Sequence, residues 1–399
     1  FLASCGGGSD TSIASPGELS QVEAPTATST TVAVGGSVLT GTCPAGTNVS
    51  TDTAIAGNTV CAISGVINED LTLTNNVIWR LLGKVEVGTD IGGSVRLPAN
   101  FAGVCGHKPS FGVVPQRGYI DHVSYGSTDA DINVFGPLAR TVGDLELLFG
   151  VLNGSPDDSK SGWQVRLPNS RASSGNLRVA AWLDDPSCPV SSSVLSVLDE
   201  TVQAIEADGV AVNRSARPEV VFDDVRTVGM PLISAATSPG RTSEEFAALV
   251  ETAADPASDS TLRMRAASST MSHRDWLLMT EQRDINRRLW SDFFCDFDVL
   301  LAPVAFSPAF EHQSEGNLYT RTLEVDGAVR PYSDLIVWTS QFGYVYLPST
   351  VVPVGFTKDG SPVGIQAVGP YLGDRTTIEF ARHIERLRGG YQVPPIAKL

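Results

Sequence analysis

The chain has 399 residues, of which 42% are hydrophobic, and its formal net charge at pH 7 is −16. An anionic surface repels phosphate backbones, so nucleic acid is excluded as an expected direct partner. No stretch reaches the roughly 18 consecutive apolar residues of a membrane-spanning helix, so the body of the chain is expected to be globular.

The N-terminal 42 residues predict a flexible tail, because a segment of Gly, Ser, Thr, Ala and Val buries too little apolar surface to offset its ordering entropy. Its start, FLASC, resembles the end of a bacterial lipoprotein signal, and this resemblance implies a lipid on Cys5. Chance similarity over so few residues is the alternative. Lipidation implies an exported protein tethered to a membrane.

Residues 43–87 predict a small β-rich segment, with strands in LTLT (71–74) and VIWRLLGKVEV (77–87). The segment is similar to the opening rungs of secreted bacterial β-helix proteins. Cys43 and Cys61 lie in it and are expected to form a disulfide if the segment is exported, or else to be two small buried thiols. None of the six cysteines has the CxxC or Cys/His spacing of a zinc site, so no metal is expected.

From Gly88 onward, strands alternate with amphipathic helices, which predicts an α/β layer fold. Buried strands are expected at 177–183 and 298–304, and a final strand and helix at 361–369 and 374–389. Thr141 is a candidate N-cap for the first long helix. The next helix is expected to bury Val194, Leu198, Val202 and Ile205, and the helix from about 272 to 296 to place Leu278, Ile285, Leu289 and Phe293 on one side.

The stretch GTDIGGSVRLP contains the main candidate site. Gly92 and Gly93 allow a tight turn before Ser94, and backbone N–H groups in such a turn can converge on a developing oxyanion. Asp90 and Arg96 flank the turn and are placed to support it as an ion pair. On these residues alone an ordinary Gly-rich turn is the stronger interpretation. The spacing fits neither a phosphate-binding loop nor the α/β-hydrolase nucleophile elbow.

A longer segment changes this interpretation. GTDIGGSVRLPANFAGVCGHKPSFGVVPQRG, from Gly88, resembles the second half of the amidase signature motif, and segments 136–154, 177–209, 293–304 and 347–385 resemble later parts of that family in order. The resemblance implies an α/β/α sandwich with a mixed central sheet over 88–399, lacking its N-terminal part. Such a truncated sheet is expected to expose an apolar face or edge.

The resemblance also implies a chemistry. Ser94 is the expected nucleophile, which forms an acyl-enzyme with a small carboxamide, and no metal or organic cofactor is needed. The oxyanion hole is expected from the N–H groups of Ile91, Gly92, Gly93 and Ser94. The substrate pocket is expected near Trp338 and Phe342.

The base is the missing part of this site, since a serine hydroxyl needs one to act as a nucleophile. The family uses an upstream lysine that acts through a second serine on a cis peptide. Here no lysine precedes Lys84, and Asp70 stands at the position of that serine. Ser64 is a poor replacement for it. Lys84, Lys108 and histidines 107, 122, 273, 312 and 383 are weak substitutes for the base.

Two functions therefore remain open. The first is an amidase that cleaves carbon–nitrogen bonds through Ser94. The second is a catalytically inactive remnant, or a tethered surface protein with a binding or structural role, which the missing lysine and serine favour. A component similar to those of tRNA amidotransferases is a further alternative. The family suggests the cytoplasm and the FLASC start suggests export, so the compartment and the oligomeric state are left open.

Overall fold

The computed structural model describes residues 48–50, 60–63, 78–81, 85–117, 128–156, 159–171, 177–313, 315–316 and 320–393. The chain divides into two compact units, residues 1–80 and 81–399. In the N-terminal part, strands β1 (Asn48–Ser50), β2 (Val60–Ile63) and β3 (Ile78–Leu81) form a three-stranded sheet in which β1 and β2 are antiparallel. The predicted tail, the LTLT strand, Cys5 and Cys43 lie outside the described residues.

The second unit contains strands that alternate with helices in part of its length and a run of four helices between β8 and β9. Its first half contains β4 (Val85–Asp90), α1 (Arg96–Ala102), β5 (Cys105–Lys108), β6 (Val134–Ala139), α2 (Val142–Leu152), β7 (Val179–Ala181), α3 (Ser192–Ala207) and β8 (Val212–Asn213). A π-helical turn (Val225–Gly229) then leads into α4 (Met230–Ala236), followed by a 3-10 turn (Ser238–Gly240), α5 (Ser243–Ala254), α6 (Ser260–Ser269) and α7 (His273–Asp296). The last part contains β9 (Val299–Pro303), β10 (Thr322–Val325), β11 (Ala328–Pro331), a 3-10 turn (Tyr332–Ile336), α8 (Val337–Gly343), β12 (Ser349–Phe356), β13 (Pro362–Val368) and α9 (Asp374–Arg388).

The central sheet of this unit has eight described strands in the order β4-β6-β5-β12-β13-β9-β7-β8. Strand β7 pairs in parallel with β8 and β9, whereas the pairs from β4 across to β9 are antiparallel. The expectation of an α/β fold with a mixed central sheet is confirmed. Strand β4, which leads into the Gly-Gly-Ser stretch, lies at one edge of the described sheet.

Helices cover both faces of this sheet. Side chains alternate between the two faces of a strand, so neighbouring residues of β5 report the two layers. Gly106 faces Ala99 of α1, and a Cβ at this glycine would lie 2.8 Å from the Cβ of Ala99. The adjacent His107 contacts Phe149 of α2 and Asp374 of α9 on the other side. Helix α1 therefore lies on one face, while α2 and α9 lie on the opposite one.

Local sequence signals account for two of the helices on these faces. The Thr141 hydroxyl accepts a hydrogen bond from the Asp144 N–H at 3.1 Å and begins α2, as predicted for an N-cap. Helix α3 buries the four predicted residues, which recur at helical spacing and pack into the main core.

Only part of the predicted face of α7 is buried. Phe293 is buried as expected, but Leu278 is 57% exposed and Ile285 is 36% exposed. The helix also buries Arg283, Asn286, Trp290 and Phe294. The polar members of that face are buried because each has a partner: Arg283 donates to Asp131 at 2.7 Å, and Asn286 donates to the Tyr344 hydroxyl at 2.9 Å.

Within the described ranges, no helix combines the length and apolar composition that a membrane crossing requires.

Candidate active site

The Ser94 loop (residues 91–95) connects the edge strand β4 to helix α1. Ser94 is exposed, whereas Ile91, Gly92, Gly93 and Val95 are buried. The loop is therefore packed against the body of the protein on every side except at the serine. This arrangement presents a single hydroxyl to solvent on a backbone that has little room to move.

Asp90 and Arg96 form a bidentate ion pair beneath the loop. Arg96 Nη2 donates to Asp90 Oδ1 at 2.9 Å and Arg96 Nε donates to Asp90 Oδ2 at 2.9 Å, with both side chains fully buried. Burial by itself raises the pKa of the Asp90 carboxyl, but the Arg96 guanidinium outweighs it and holds that pKa below its usual range. The structure thus brings together the two predicted supporting residues, and their part in catalysis stays a prediction.

The same carboxylate also binds the loop backbone. Gly93 N–H donates to Asp90 Oδ1 at 2.8 Å, and Val95 N–H donates to Asp90 Oδ2 at 3.2 Å. The Gly93 N–H is therefore occupied by a buried acceptor and is not free for an oxyanion in this structure. Ile91, Gly92 and Ser94 remain the predicted donors.

Only glycine fits at position 93. Its φ of +125° lies in a region that residues with a side chain rarely adopt. A Cβ there would lie 2.9 Å from Thr339 Cβ and closer still to Thr339 Oγ1. The Gly-Gly pair is therefore needed at least in part for the close approach of α8 to the loop.

Residues far along the chain complete the support of the loop. Thr339 Oγ1 donates to Gly92 O at 2.7 Å, and Arg96 Nη1 donates to Thr339 O at 2.6 Å. Gln366 on β13 lies 3.5 Å from Arg96 Nη1 and donates to Pro303 O at 2.6 Å. Sequence reasoning missed both Thr339 and Gln366. Gln366 lies in a segment predicted only as a strand and as part of the family resemblance, and no local pattern marks Thr339.

Lys108 and His107 are buried on β5, and neither makes a hydrogen bond to Ser94. Lys108 Nζ donates to Pro109 O at 2.7 Å, and burial lowers the pKa of this amine to about 7. His107 lies 2.9 Å from Thr350 Oγ1 and 3.2 Å from Asp374 Oδ1, and burial lowers its pKa although Asp374 acts in the opposite direction. These contacts are those of structural groups in the interior.

The three other described histidines make no hydrogen bond to Ser94, and His312 is exposed. His273 stacks on Trp276, and His383 lies 3.5 Å from Asp208. Within the described ranges no side chain hydrogen-bonds the Ser94 hydroxyl. The base candidates Lys84 and His122 lie outside those ranges, as do Ser64 and Asp70, which bear on the second serine.

Trp338 and Phe342 do not themselves line an open pocket, and a substrate pocket near them stays a prediction. Both side chains have no exposed surface. Trp338 Nε1 donates to Cys188 O at 3.0 Å and its ring packs on Phe222, while Phe342 packs on Trp290. Trp338 and Phe342 are the aromatic residues by which α8 packs into the core. Thr339 of the same helix contacts the Ser94 loop.

The fold and the loop together define an α/β protein that presents one serine at the end of a Gly-Gly turn, above a buried carboxylate–guanidinium pair. The sequence model of the Amidase family matches residues 80–378. The chain therefore belongs to the amidase family, as its amidase signature segments predicted.

Curated relatives and solved structures agree with this assignment. The chain is 27% identical over 318 residues to an indoleacetamide hydrolase of Bradyrhizobium diazoefficiens, a match that covers 77% of this chain and 56% of the relative. It is 26% identical over 322 residues to an indoleacetamide hydrolase of Bradyrhizobium japonicum, covering 77% and 63% of the two chains. The chain thus spans less than two thirds of the length of these relatives.

Two solved structures show the same fold. A bacterial aryl acylamidase of the amidase signature family superposes with a TM-score of 0.58 at 22% identity, covering 76% of this chain and 62% of that one. A 6-aminohexanoate cyclic dimer hydrolase gives a TM-score of 0.57 at 20% identity, with 77% and 65% covered.

Proposed function

We propose that this chain hydrolyses small carboxamides by acyl transfer through Ser94. The observation that carries the proposal is the exposed Ser94 on a loop whose remaining residues are buried and held by Asp90 and Arg96. A nucleophile that must approach a carbonyl carbon needs access on one side and a rigid backbone on the other. The family assignment supports amide hydrolysis as the reaction class.

The proposed reaction has two steps, acylation of the serine and hydrolysis of the acyl-enzyme. Ser94 Oγ loses its proton to a base and bonds to the carbonyl carbon, the carbon–nitrogen bond breaks, and the amine leaves with a proton. Water then cleaves the resulting ester, which releases a carboxylic acid and restores the serine. Neither step transfers electrons to an acceptor, so the proposed reaction calls for no organic cofactor.

The backbone N–H groups of Ile91, Gly92 and Ser94 are the proposed donors to the developing oxyanion. Those of Gly92 and Ser94 flank the Gly92–Gly93 peptide, whose own N–H is bound by Asp90. Preorganised donors of this kind contribute on the order of a hundredfold to a thousandfold in rate for each donor. Lys84, which precedes β4 in the chain, is the residue to test first as the base.

The substrate class follows from what the relatives are named for. One relative is an indoleacetamide hydrolase, and one structural neighbour is an aryl acylamidase. We therefore expect a small amide with an aromatic substituent, such as indole-3-acetamide or acetanilide, to be hydrolysed before a polar amide such as glutamine.

Labelling with a fluorophosphonate tests the proposal, because the reagent reacts with activated serines. The labelled peptide should contain Ser94, and Ser94→Ala should abolish the labelling. Ser187→Ala removes another exposed serine and should label like the unaltered protein. Loss of labelling in Lys84→Met would identify the base. A folded protein that takes up no label would contradict the proposed function.

A non-catalytic binding protein is the second candidate. The observation that favours it is the absence of lysine from residues 1–83, together with Asp70 at the position of the family's second serine. This candidate predicts that calorimetry detects amide binding to a protein that neither labels nor hydrolyses. Labelling confined to Ser94 would exclude it.

A further inference from the structure

Thr339 on α8 contacts the Ser94 loop from a position far away in the sequence. We infer that Thr339 is a positioning residue, whose hydroxyl fixes the Gly92–Gly93 peptide so that the N–H groups on either side of it remain available to an oxyanion. This inference rests on the proposed function for its catalytic consequence. The immobilisation of the Gly92–Gly93 peptide is inferred from its hydrogen bonds and does not depend on the proposed function.

The Gly92–Gly93 peptide is held at both of its polar ends. Thr339 Oγ1 donates to Gly92 O at 2.7 Å, and on the opposite side Gly93 N–H donates to Asp90 Oδ1 at 2.8 Å. Rotation of this peptide plane would break two buried hydrogen bonds, each costly to leave unmade. The next peptide is held as well, since Gly93 O accepts from Leu97 N–H at 2.7 Å.

The Thr339 hydroxyl has a choice of acceptors, and the distances decide it. A hydroxyl carries one hydrogen, and Thr339 Oγ1 lies 2.7 Å from Gly92 O but 3.1 Å from Ile336 O within its own helical segment. The shorter contact goes to the loop. Thr339 has no exposed surface, so water does not compete for this hydrogen bond.

The same residue also connects the loop to its ion pair. The Thr339 carbonyl accepts from Arg96 Nη1 at 2.6 Å, while the Arg96 guanidinium binds Asp90. Loop, guanidinium and α8 thus form one closed hydrogen-bonded unit. A shift of α8 is expected to move the peptide that precedes the nucleophile, and a displacement of about 1 Å at such a site costs on the order of a hundredfold in rate.

Two substitutions separate the hydroxyl from the shape of the side chain. Thr339→Val keeps the branched shape without the hydrogen-bond donor, whereas Thr339→Ser keeps the donor. We expect Thr339→Val to lower the rate constant of fluorophosphonate inactivation about tenfold to a hundredfold, with little change in the concentration for half-saturation, because only the tetrahedral adduct uses the oxyanion donors. Thr339→Ser should restore most of the rate.

Two further variants complete the comparison. Thr201→Val is the matched control, since Thr201 is also fully buried and its hydroxyl donates to Val197 O at 2.8 Å inside α3. It should lose similar stability and label normally. Ser340 Oγ lies 3.5 Å from Gly92 O and is the nearest substitute donor, so Thr339→Val is also combined with Ser340→Ala.

Hydrogen exchange tests the positioning without any need for activity. The peptide containing residues 91–97 should exchange faster in Thr339→Val than in Thr339→Ser or Thr201→Val, because the Gly93 N–H loses the support of its neighbouring carbonyl. Unchanged exchange, or wild-type labelling by the combined variant, overturns the inference. Faster exchange in a protein that never labels retains the positioning role and rejects the proposed function.

Discussion

Arg96 and Asp90 are bonded to each other through two hydrogen bonds of 2.9 Å in the interior of the protein, and neither side chain has exposed surface. The pair lies directly beneath the loop that presents Ser94, and Asp90 also binds the N–H groups of Gly93 and Val95. The Asp90 carboxylate thus accepts hydrogen bonds from both the Arg96 guanidinium and the loop backbone. Stability and loop geometry are therefore expected to fail together when either residue is changed.

Asp90→Asn should destabilise the protein by about 3–5 kcal/mol, because it leaves the Arg96 guanidinium buried without a counter-charge. Urea denaturation measures the difference. Glu206→Gln is the control, since Glu206 pairs with Arg214 at 2.9 Å on the surface and such pairs contribute about 1 kcal/mol or less. Equal losses in the two variants would show that the buried pair has no special importance.

Gly93→Ala should cost at least about 2 kcal/mol, since it combines an unfavourable positive φ with a Cβ that overlaps Thr339. It should also slow the labelling of Ser94. Gly150→Ala in α2 should instead stabilise by about 0.5–1 kcal/mol, because a Cβ there meets nothing within 4 Å and alanine favours the helix. Melting temperatures of the two variants should therefore move in opposite directions.

Lys108 should make the stability depend on pH above neutrality. Burial lowers the pKa of its amine from the ordinary 10.5 to about 7, so between these values the unfolded state binds more protons than the folded state. Stability contributed by this site therefore rises with pH from about 7 to about 10. Denaturation at pH 6, 8 and 10 should show the free energy of unfolding of the wild type rising relative to that of Lys108→Met. Parallel pH profiles of the two proteins would contradict the assignment of a neutral buried amine.

Tyr346→Phe should destabilise by about 1.5–3 kcal/mol, because the Tyr346 hydroxyl donates to the Asp131 side chain, which Arg283 also binds at 2.7 Å. The stacking of the ring on Phe111, with centroids 4.3 Å apart, is retained in the variant. Tyr371→Phe loses a hydroxyl that donates to Phe111 O from a partly exposed position and should cost less, about 0.5–1 kcal/mol. Calorimetric unfolding of both variants distinguishes the two sites.

Sequence patterns were sufficient to predict the helices that depend on interactions between nearby residues. Helix α3 repeats apolar residues at helical spacing, and Thr141 supplies the hydroxyl that begins α2, so both were predicted. The burial of Arg283 and Asn286 on α7 was not predicted, because both look like surface residues in a sequence. Their partners Asp131 and Tyr344 lie far away along the chain, and only folding brings them together.

The sequence by itself determined the family, the α/β class and the serine that follows two glycines, because these depend on short ordered segments and on residue spacing. Only the tertiary structure decided which groups hold that serine in place. Thr339 and Gln366 reach the loop from other elements, and the burial of Lys108 results from the packing of the whole sheet. Such contacts join residues that are far apart in the sequence and share no local pattern, so they form only when the chain folds.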